Sequence, residues 1–415
     1  MARNKRNPET EEANPDIFEI TLPQQKAPKK RQEVGRVDAP FVALTLLLLA
    51  VGLICLYSAS YPLAYSKYGN SLYFVTRQGL FAVAGVVGML IISRMDYHKF
   101  HYLALPVLVG TLALMATIKV PGLKNMWKTI NQATRWIEIG PISLQPSELC
   151  KAAVIVSFSS FAAILGKKKM HTLRWGILPF MGIIGVIAVL LYFERHLSGT
   201  LIIAAIGMMI IFLAGANMAW FFAGGGAVVV LAVAYVLKNP YALTRFKVWL
   251  DPFIDPLGKG FQGAQSFITI GSGGIWGVGL GQGTQKHLFL PEPTNDFIFP
   301  TICEELGLVG ATMILILFAA LILRGYYIAL RCDNRFGTLL AAGVTTHLAI
   351  QVIMNLFVVT GIMPITGASL PFFSYGGTSL LMLLGEVGII LAVSRRIPKE
   401  EDTEKKEKRR LHKGE

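Results

Sequence analysis

The chain has 415 residues, 53% of them hydrophobic and only 15% charged, with a mean hydropathy of +0.54. Soluble domains carry about 25% charged residues and disordered chains need few apolar ones, so both classes are excluded, and apolar runs of about 20 residues call for a polytopic membrane protein. The formal net charge is nevertheless +14, from 39 Lys and Arg against 25 Asp and Glu.

Residues 1–38 hold eight basic and seven acidic side chains and read as a solvated cytoplasmic arm without a cleavable signal. Apolar segments follow near 40–59, 73–93, 102–119, 146–165, 175–193, 199–215, 219–237, 297–323, 338–360 and 374–394. The expected fold is therefore all-α, with about ten transmembrane helices in a membrane domain spanning 39–396. A charged tail, 397–415, follows. Arg94 and Lys99, the run Lys167, Lys168, Lys169 and Arg174, and the set Arg324, Arg331 and Arg335 lie in three short connections. With an even helix count the positive-inside rule places these, and both termini, in the cytoplasm.

The outer face then receives residues 120–145 and a large loop, 238–296, between the seventh and eighth helices. The large loop contains Gly271-Ser272-Gly273-Gly274 and a glycine-rich run from Gly277 to Gly283. Structureless loops of that length are uncommon unless functional. No strong internal repeat supports a transporter built from inverted halves. Cys55, Cys150, Cys303 and Cys332 match no zinc spacing and read as buried thiols, and His98 and His101 read as a polar loop rather than a metal site.

Several polar residues interrupt or border the apolar segments. Asp296 stands at the mouth of the eighth helix in Thr294-Asn295-Asp296-Phe297, where it is either a helix cap or a general base beside a long loop. Glu304 and Glu305 lie two turns deeper, and acidic residues inside membrane segments default to function unless a buried cation pairs with them. Arg135-Trp136 ends the first outer stretch. Glu148 and Lys151 are three apart on one helix face, as a structural ion pair or the lining of a polar cavity. Arg77, four residues into the second segment, snorkels to the interface or reaches that cavity. His196, in Glu194-Arg195-His196-Leu197-Ser198, reads as a hydrogen-bonded packing residue. Ser374, in Pro371-Phe372-Phe373-Ser374-Tyr375-Gly376-Gly377, opens the last segment where irregular backbone must line protein or a cavity.

Taken in order, Arg77-Gln78, Arg135-Trp136, Gln145-Pro146-Ser147-Glu148, Asn295-Asp296-Phe297-Ile298-Phe299, Glu304-Glu305-Leu306-Gly307 and Leu370-Pro371-Phe372-Phe373-Ser374-Tyr375-Gly376-Gly377-Thr378-Ser379 resemble the SEDS family (shape, elongation, division and sporulation), the group of FtsW, RodA and SpoVE. The resemblance spans about residues 40–396. It implies a peptidoglycan glycosyltransferase of the bacterial cytoplasmic membrane that polymerises lipid II, the undecaprenyl-pyrophosphate disaccharide-pentapeptide, by inverting transfer. Asp296 takes the position of the family's essential outer-loop aspartate. Candidates to bind the substrate are Arg77, Arg135, Trp136, Glu148, Lys151, Arg245, Lys286, Glu305 and Ser374. The cations among them, Arg77, Lys151, Arg135, Arg245 and Lys286, would stabilise the leaving pyrophosphate.

The expected partners are a class B penicillin-binding protein, divisome proteins and membrane lipid, with no nucleic acid. A divalent cation such as Mg2+ suits pyrophosphate, although no complete protein ligand set is visible. The run Ala368-Ser369-Leu370 leans to the FtsW and SpoVE branch, and septal wall synthesis is the implied role. An elongation-type polymerase, a lipid II flippase and a non-enzymatic scaffold are the alternatives. One departure stands out. Where many family members carry Gln-Pro-Asp-Leu-Gly-Thr, this chain has Glu194-Arg195-His196-Leu197-Ser198-Gly199-Thr200, with His196 in the acidic position.

Overall fold

The computed structural model describes residues 35–120, 122, 126–130, 133–139, 142–217, 219, 220, 238, 246–287 and 289–397. Among them, eight helices are long and apolar enough to cross a membrane. They include α1 (Ala39–Tyr68), α2 (Tyr73–Arg94), α3 (Lys99–Ala116) and α4 (Pro146–Met170). A π-turn at Leu173–Ile177 leads into α5 (Leu178–Phe193), and α6 (Leu197–Leu213) is a shorter apolar helix. After the outer-loop helix α7 (Phe261–Ser272) come α8 (Ile298–Leu330), α9 (Arg335–Val359) and α10 (Gly377–Ser394). The segment expected at 219–237 lies outside the described residues, as does Arg245.

The apolar runs become helices because backbone groups in hydrocarbon must be satisfied within their own segment. The boundaries follow local chemistry. Asp38 caps α1 by accepting the Phe41 N–H at 3.0 Å, and α4 leaves helical geometry at Gly166 (φ 73), just past its expected end. α4, α9 and α10 form the centre of the bundle: 61%, 72% and 67% of their apolar windows are buried, against 22–39% for the others. α10 packs most extensively on α2. A Cβ at Gly85 would lie 2.5 Å from Leu384, and one at Gly388 would lie 2.8 Å from the Met89 carbonyl, so small residues permit the close approach.

The connections assigned to one side by charge meet at one end of the bundle. Gly35 N–H bonds the Arg395 carbonyl at 2.8 Å, and Arg324 of α8 pairs with Asp38 at 2.8 Å. Arg396 pairs with Asp96 at 2.7 Å, Asn334 meets His98 at 2.7 Å, and Arg335 donates to the Ala214 carbonyl at 2.6 Å.

The two outer stretches hold more order than their reading as loops. Within 120–145, β1 (Trp127–Ile130), β2 (Ala133–Ile139) and β3 (Ile142–Leu144) form an antiparallel sheet in that order. Trp127 pairs with Ile137 and Ile137 with Leu144. Buried Trp127 and Ile137 pack with Ile118 in a small apolar cluster apart from the bundle core, which seats the sheet on the outer end of α3. The helical fold class stands, with this short sheet added; strands of three to seven residues give too little alternation to register beside 20-residue apolar runs.

The glycine-rich part of the large loop has a backbone task. α8 breaks at Gly307 (φ 66), which frees carbonyls and N–H groups within the helix. Val278 and Gly279 donate to the Glu304 and Glu305 carbonyls at 3.0 Å each, while Leu308 and Val309 donate to the Gly274 and Ile275 carbonyls at 3.0 and 3.1 Å. A Cβ at Gly277 would stand 2.3 Å from the Glu305 carbonyl oxygen. Only glycine lets the loop come close enough to complete the broken helix.

Candidate active site

Asp296 ends the large outer loop one residue before Phe297, the residue that precedes α8. Three successive carbonyls of its segment are each held by a donor from elsewhere. Thr294 accepts from Tyr375 N–H at 2.8 Å, Asn295 from the Ser374 hydroxyl at 2.7 Å, and Asp296 from the Asn355 amide of α9 at 2.8 Å. Asn355 also holds the Ala368 carbonyl at 2.6 Å. Gln78 of α2 closes the arrangement: its amide donates to the Ser374 carbonyl at 3.2 Å and accepts from Gly376 N–H at 3.1 Å. The Asp296 segment is thus tied to α9 and to the stretch before α10, which Gln78 of α2 holds in turn, while its carboxyl is left to face Gly367 (φ 77), where a Cβ would lie 3.0 Å from Oδ2. Burial and the nearby Glu292 push the Asp296 carboxyl up to about 6, and Arg135 opposes that rise. A carboxylate so tuned is still ionised at pH 7 and is a stronger base than one on the surface.

Arg135 reaches this site from β2. Its Nη2 donates to the Arg195 carbonyl at 2.5 Å, and its charge faces both Asp296 and Glu194. Strand alternation puts Ile137 on the same sheet face as Arg135. Trp136 and Glu138 take the other face, where Glu138 pairs with Lys128. Trp136 is half-buried and points away from the side that Arg135 serves. Arg195, with φ 55, turns the chain between α5 and α6. His196 behind it is neutral, because burial first and Arg135 second lower it to about 3. The Gln145 amide meets its Nε2 at 3.2 Å and Ser198 its Nδ1 at 3.3 Å, so it packs as the sequence suggested.

The remaining candidates divide. Glu148 and Lys151 form a 2.8 Å pair near the start of α4, and the Ser379 hydroxyl of α10 donates to Glu148 at 2.9 Å. Arg77 is exposed, stacked 4.8 Å over Tyr73 in an aromatic cluster that also contains Tyr68, Phe74 and Tyr375. Ser374 has both its hydrogen-bonding roles taken, by Asn295 and by the Leu370 N–H at 2.7 Å, and serves to position Asp296.

Lys286 and Glu305 sit elsewhere. Lys286 Nζ lies 2.5 Å from Glu305 Oε1, 3.3 Å from the Ser58 hydroxyl and 4.7 Å over the Tyr61 ring. The two side chains are 0% and 3% exposed, so this sealed pair pins the loop to α1 and α8 and has no face for a substrate. Glu304 accepts from Thr284 N–H and Gln285 N–H at 2.8 and 3.2 Å and anchors the same loop. Among the described residues no group of three or more His, Cys, Asp or Glu is placed to hold a metal. Sequence reasoning missed Asn355; the available signal was Gln351 and Asn355, amides four residues apart on one face of an otherwise apolar helix.

A family model described as a cell cycle protein, that of FtsW, RodA and SpoVE, matches residues 39–399. The stage V sporulation protein E of Bacillus subtilis is 40% identical over 358 residues, covering 86% of this chain and 97% of that one. A probable peptidoglycan glycosyltransferase FtsW of Geobacter metallireducens is 37% identical over 368 residues, covering 88% and 96%. Among solved structures, a chain from a peptidoglycan synthase complex that coordinates polymerization and crosslinking superposes with a TM-score of 0.72 at 26% identity, over 88% of this chain and 99% of that one. The rod shape determining protein RodA of Thermus thermophilus shares the fold, with a TM-score of 0.64 at 24% identity over 88% and 98%. The chain is a multi-pass membrane protein and belongs to the FtsW, RodA and SpoVE family.

Proposed function

We propose that the chain is a peptidoglycan glycosyltransferase that polymerises lipid II on the outer face of the bacterial cytoplasmic membrane, in division or sporulation, with both termini in the cytoplasm. The names of its relatives support the activity. The observation that carries the chemistry is Asp296, its backbone clamped at residues 294–296 and its carboxyl raised to about 6 beside Arg135.

In this reading the GlcNAc 4-hydroxyl of the acceptor attacks C1 of the donor MurNAc with inversion. The new C1–O bond forms as the bond to pyrophosphate breaks, Asp296 takes the hydroxyl proton, and undecaprenyl pyrophosphate leaves. General-base help of this kind contributes about 10²–10⁴-fold. The departing phosphate charge needs a preorganised cation, and Arg135 is the one the fold aims at Asp296, with Arg77 at the outer end of α2 as the second. A divalent cation such as Mg2+ belongs to the proposal only as a companion of the pyrophosphate; the described donor set does not fit a protein-held metal, and no step runs through one. A class B penicillin-binding protein and divisome proteins are the proposed partners.

The flippase reading draws on one observation, the buried pair of His347 Nδ1 and Glu386 Oε2 at 2.6 Å inside α9 and α10. One assay separates the readings: purified protein, with its transpeptidase partner, is given labelled lipid II in the presence of moenomycin. Glycan polymer is expected from the native chain and a loss of about 10²-fold or more in Asp296→Asn. Full activity in that variant would sink the assignment, and lipid II movement across vesicles without polymer would favour the flippase.

A further inference from the structure

Glu194, just past the end of α5, is a buried acid that the reaction above leaves unused. It has no exposed surface, and neither carboxylate oxygen meets a hydrogen-bond donor among the described residues. A buried polar group in that state is costly and calls for an explanation. Its surroundings supply one. Glu194 ends α5 directly before the left-handed Arg195, and the Arg195 carbonyl takes Arg135 Nη2 at 2.5 Å. That bond brings the guanidinium beside Glu194, and Arg135 Nε has no hydrogen-bond partner of its own among the described residues. The charge of Arg135 acts on both Asp296 and Glu194.

We propose that Glu194 is a positioning residue for the transferase reaction, a second carboxyl behind Arg135 whose charge state decides whether the guanidinium serves Asp296 or Glu194. The inference rests on the polymerase reading of Asp296 and goes beyond it. With Glu194 un-ionised, the charge of Arg135 stays with Asp296 and the reacting centre. Once Glu194 loses its proton, it competes for the same guanidinium and the site loses the cation it was built around. Burial pushes Glu194 up to about 8, and Arg135 opposes the shift, so the un-ionised form prevails at neutral pH. The other titratable groups that face this turn are neutral His196 from the start of α6 and, from α4, Cys150 and the Glu148–Lys151 pair, while Glu292 faces Asp296. The sequence departure gains a physical meaning. The acid that the family pattern places third in this turn stands first here, and an uncharged imidazole fills the third position.

The test uses the full chain with its partner. Polymerisation is followed from pH 6 to 9.5 for the native chain, Glu194→Gln and Glu194→Ala. The native rate should fall about tenfold per pH unit above about 8. Glu194→Gln, which keeps the shape and never ionises, should lose that alkaline limb, so that its rate ratio between pH 9 and pH 7 exceeds the native ratio by about tenfold. Glu194→Ala should be the slower variant at every pH. An unchanged alkaline limb in Glu194→Gln overturns the proposal. Infrared difference spectroscopy decides independently of activity. A protonated-carboxyl C=O band should vanish near pH 8 in the native chain and in Asp296→Asn, and be missing in Glu194→Gln. If that band persists in Glu194→Gln, the inference fails even where polymerisation is confirmed. If the band behaves as expected but no polymer forms, the pairing stands and the polymerase reading fails.

Discussion

Replacing Lys286 tests whether the outer cations are there for the substrate or for the fold. The sequence alone allows Lys286 to meet pyrophosphate, but the structure buries it completely against Glu305 at 2.5 Å, with Ser58 and Tyr61 around it. Breaking one member of a buried ion pair leaves an uncompensated charge and costs about 3–5 kcal/mol, whereas replacing both members with apolar groups of similar volume is near neutral. Lys286→Met and Glu305→Leu should therefore each lower the unfolding free energy in mixed micelles by about 3–5 kcal/mol. The double variant should recover most of the loss, less about 1 kcal/mol for the Ser58 hydroxyl that now donates to Glu305 at 2.5 Å. In each single variant the loop should become cleavable by protease near residue 286, because the same pair pins it to α1 and α8. The double variant should still polymerise at temperatures where it is folded. If Lys286→Met unfolds like the native chain yet loses polymerase activity, the lysine contacts substrate and this reasoning is refuted.

Three further outcomes follow from the geometry. The rate should fall about tenfold per unit as pH drops below about 6, because Asp296 must be ionised to accept a proton; a rate independent of pH between 5 and 7 would remove Asp296 as the base. Asn355→Leu strips the donor from the Asp296 and Ala368 carbonyls, held at 2.8 and 2.6 Å, at about 1–3 kcal/mol for each buried acceptor left unpaired. Its expected signature is a lower kcat with KM little changed, and a pure KM effect would contradict a positioning role. Gly277→Val would set a side chain against the Glu305 carbonyl, 2.3 Å from a Cβ, at φ 78, so the purified variant should unfold at lower temperature and show a protease-sensitive loop; native-like behaviour would deny the backbone completion of α8.

What the sequence made legible was whatever depends on runs of residues or on a motif read in place. The apolar segments mark nine of the described helices, with starts within about three residues but with the ends of α1 and α8 running nine and seven residues past the expected 59 and 323, since a 20-residue run dictates a spanning helix but not where it stops beyond the hydrocarbon. Asp296 and Arg135 could be picked out as candidates because each is a charged residue in a polar stretch between apolar runs. What stayed hidden depends on contacts between distant segments. Lys286 and Glu305 are 19 residues apart, joined through a turn that has no periodicity. The glycine-rich stretch read only as part of a long structureless loop, yet its backbone serves as the missing partner of a helix broken at Gly307. Glu194 stayed unassigned because its isolation exists only in the packed turn, where neither carboxylate oxygen meets a donor among the described residues.

The basic excess can now be narrowed by partner. The sequence offers Arg77, Arg135, Lys151, Arg245 and Lys286 as cations for a pyrophosphate substrate, and Lys119 and Lys128 border the same stretch as Arg135. Three are already neutralised in place, Lys128 by Glu138, Lys151 by Glu148 and Lys286 by Glu305. Lys119 lies 4.0 Å over the ring of Phe193, at the seat of the sheet. Two of the cations expected to meet the substrate bracket the clamped segment 294–296. The charge of Arg135 acts on Asp296, and Arg77 lies beside Tyr375, whose N–H holds the Thr294 carbonyl. A leaving pyrophosphate needs charge close to the broken bond, since attraction in a water-excluded site decays far less than across solvent. A diffuse basic surface would speed encounter, but it would not distinguish the transition state from the bound substrate. Charge reversal of exposed Lys247 should therefore alter KM and its salt dependence alone, whereas Arg135→Gln should lower kcat. Equal kcat losses from both would mean that the site has no preorganised cation.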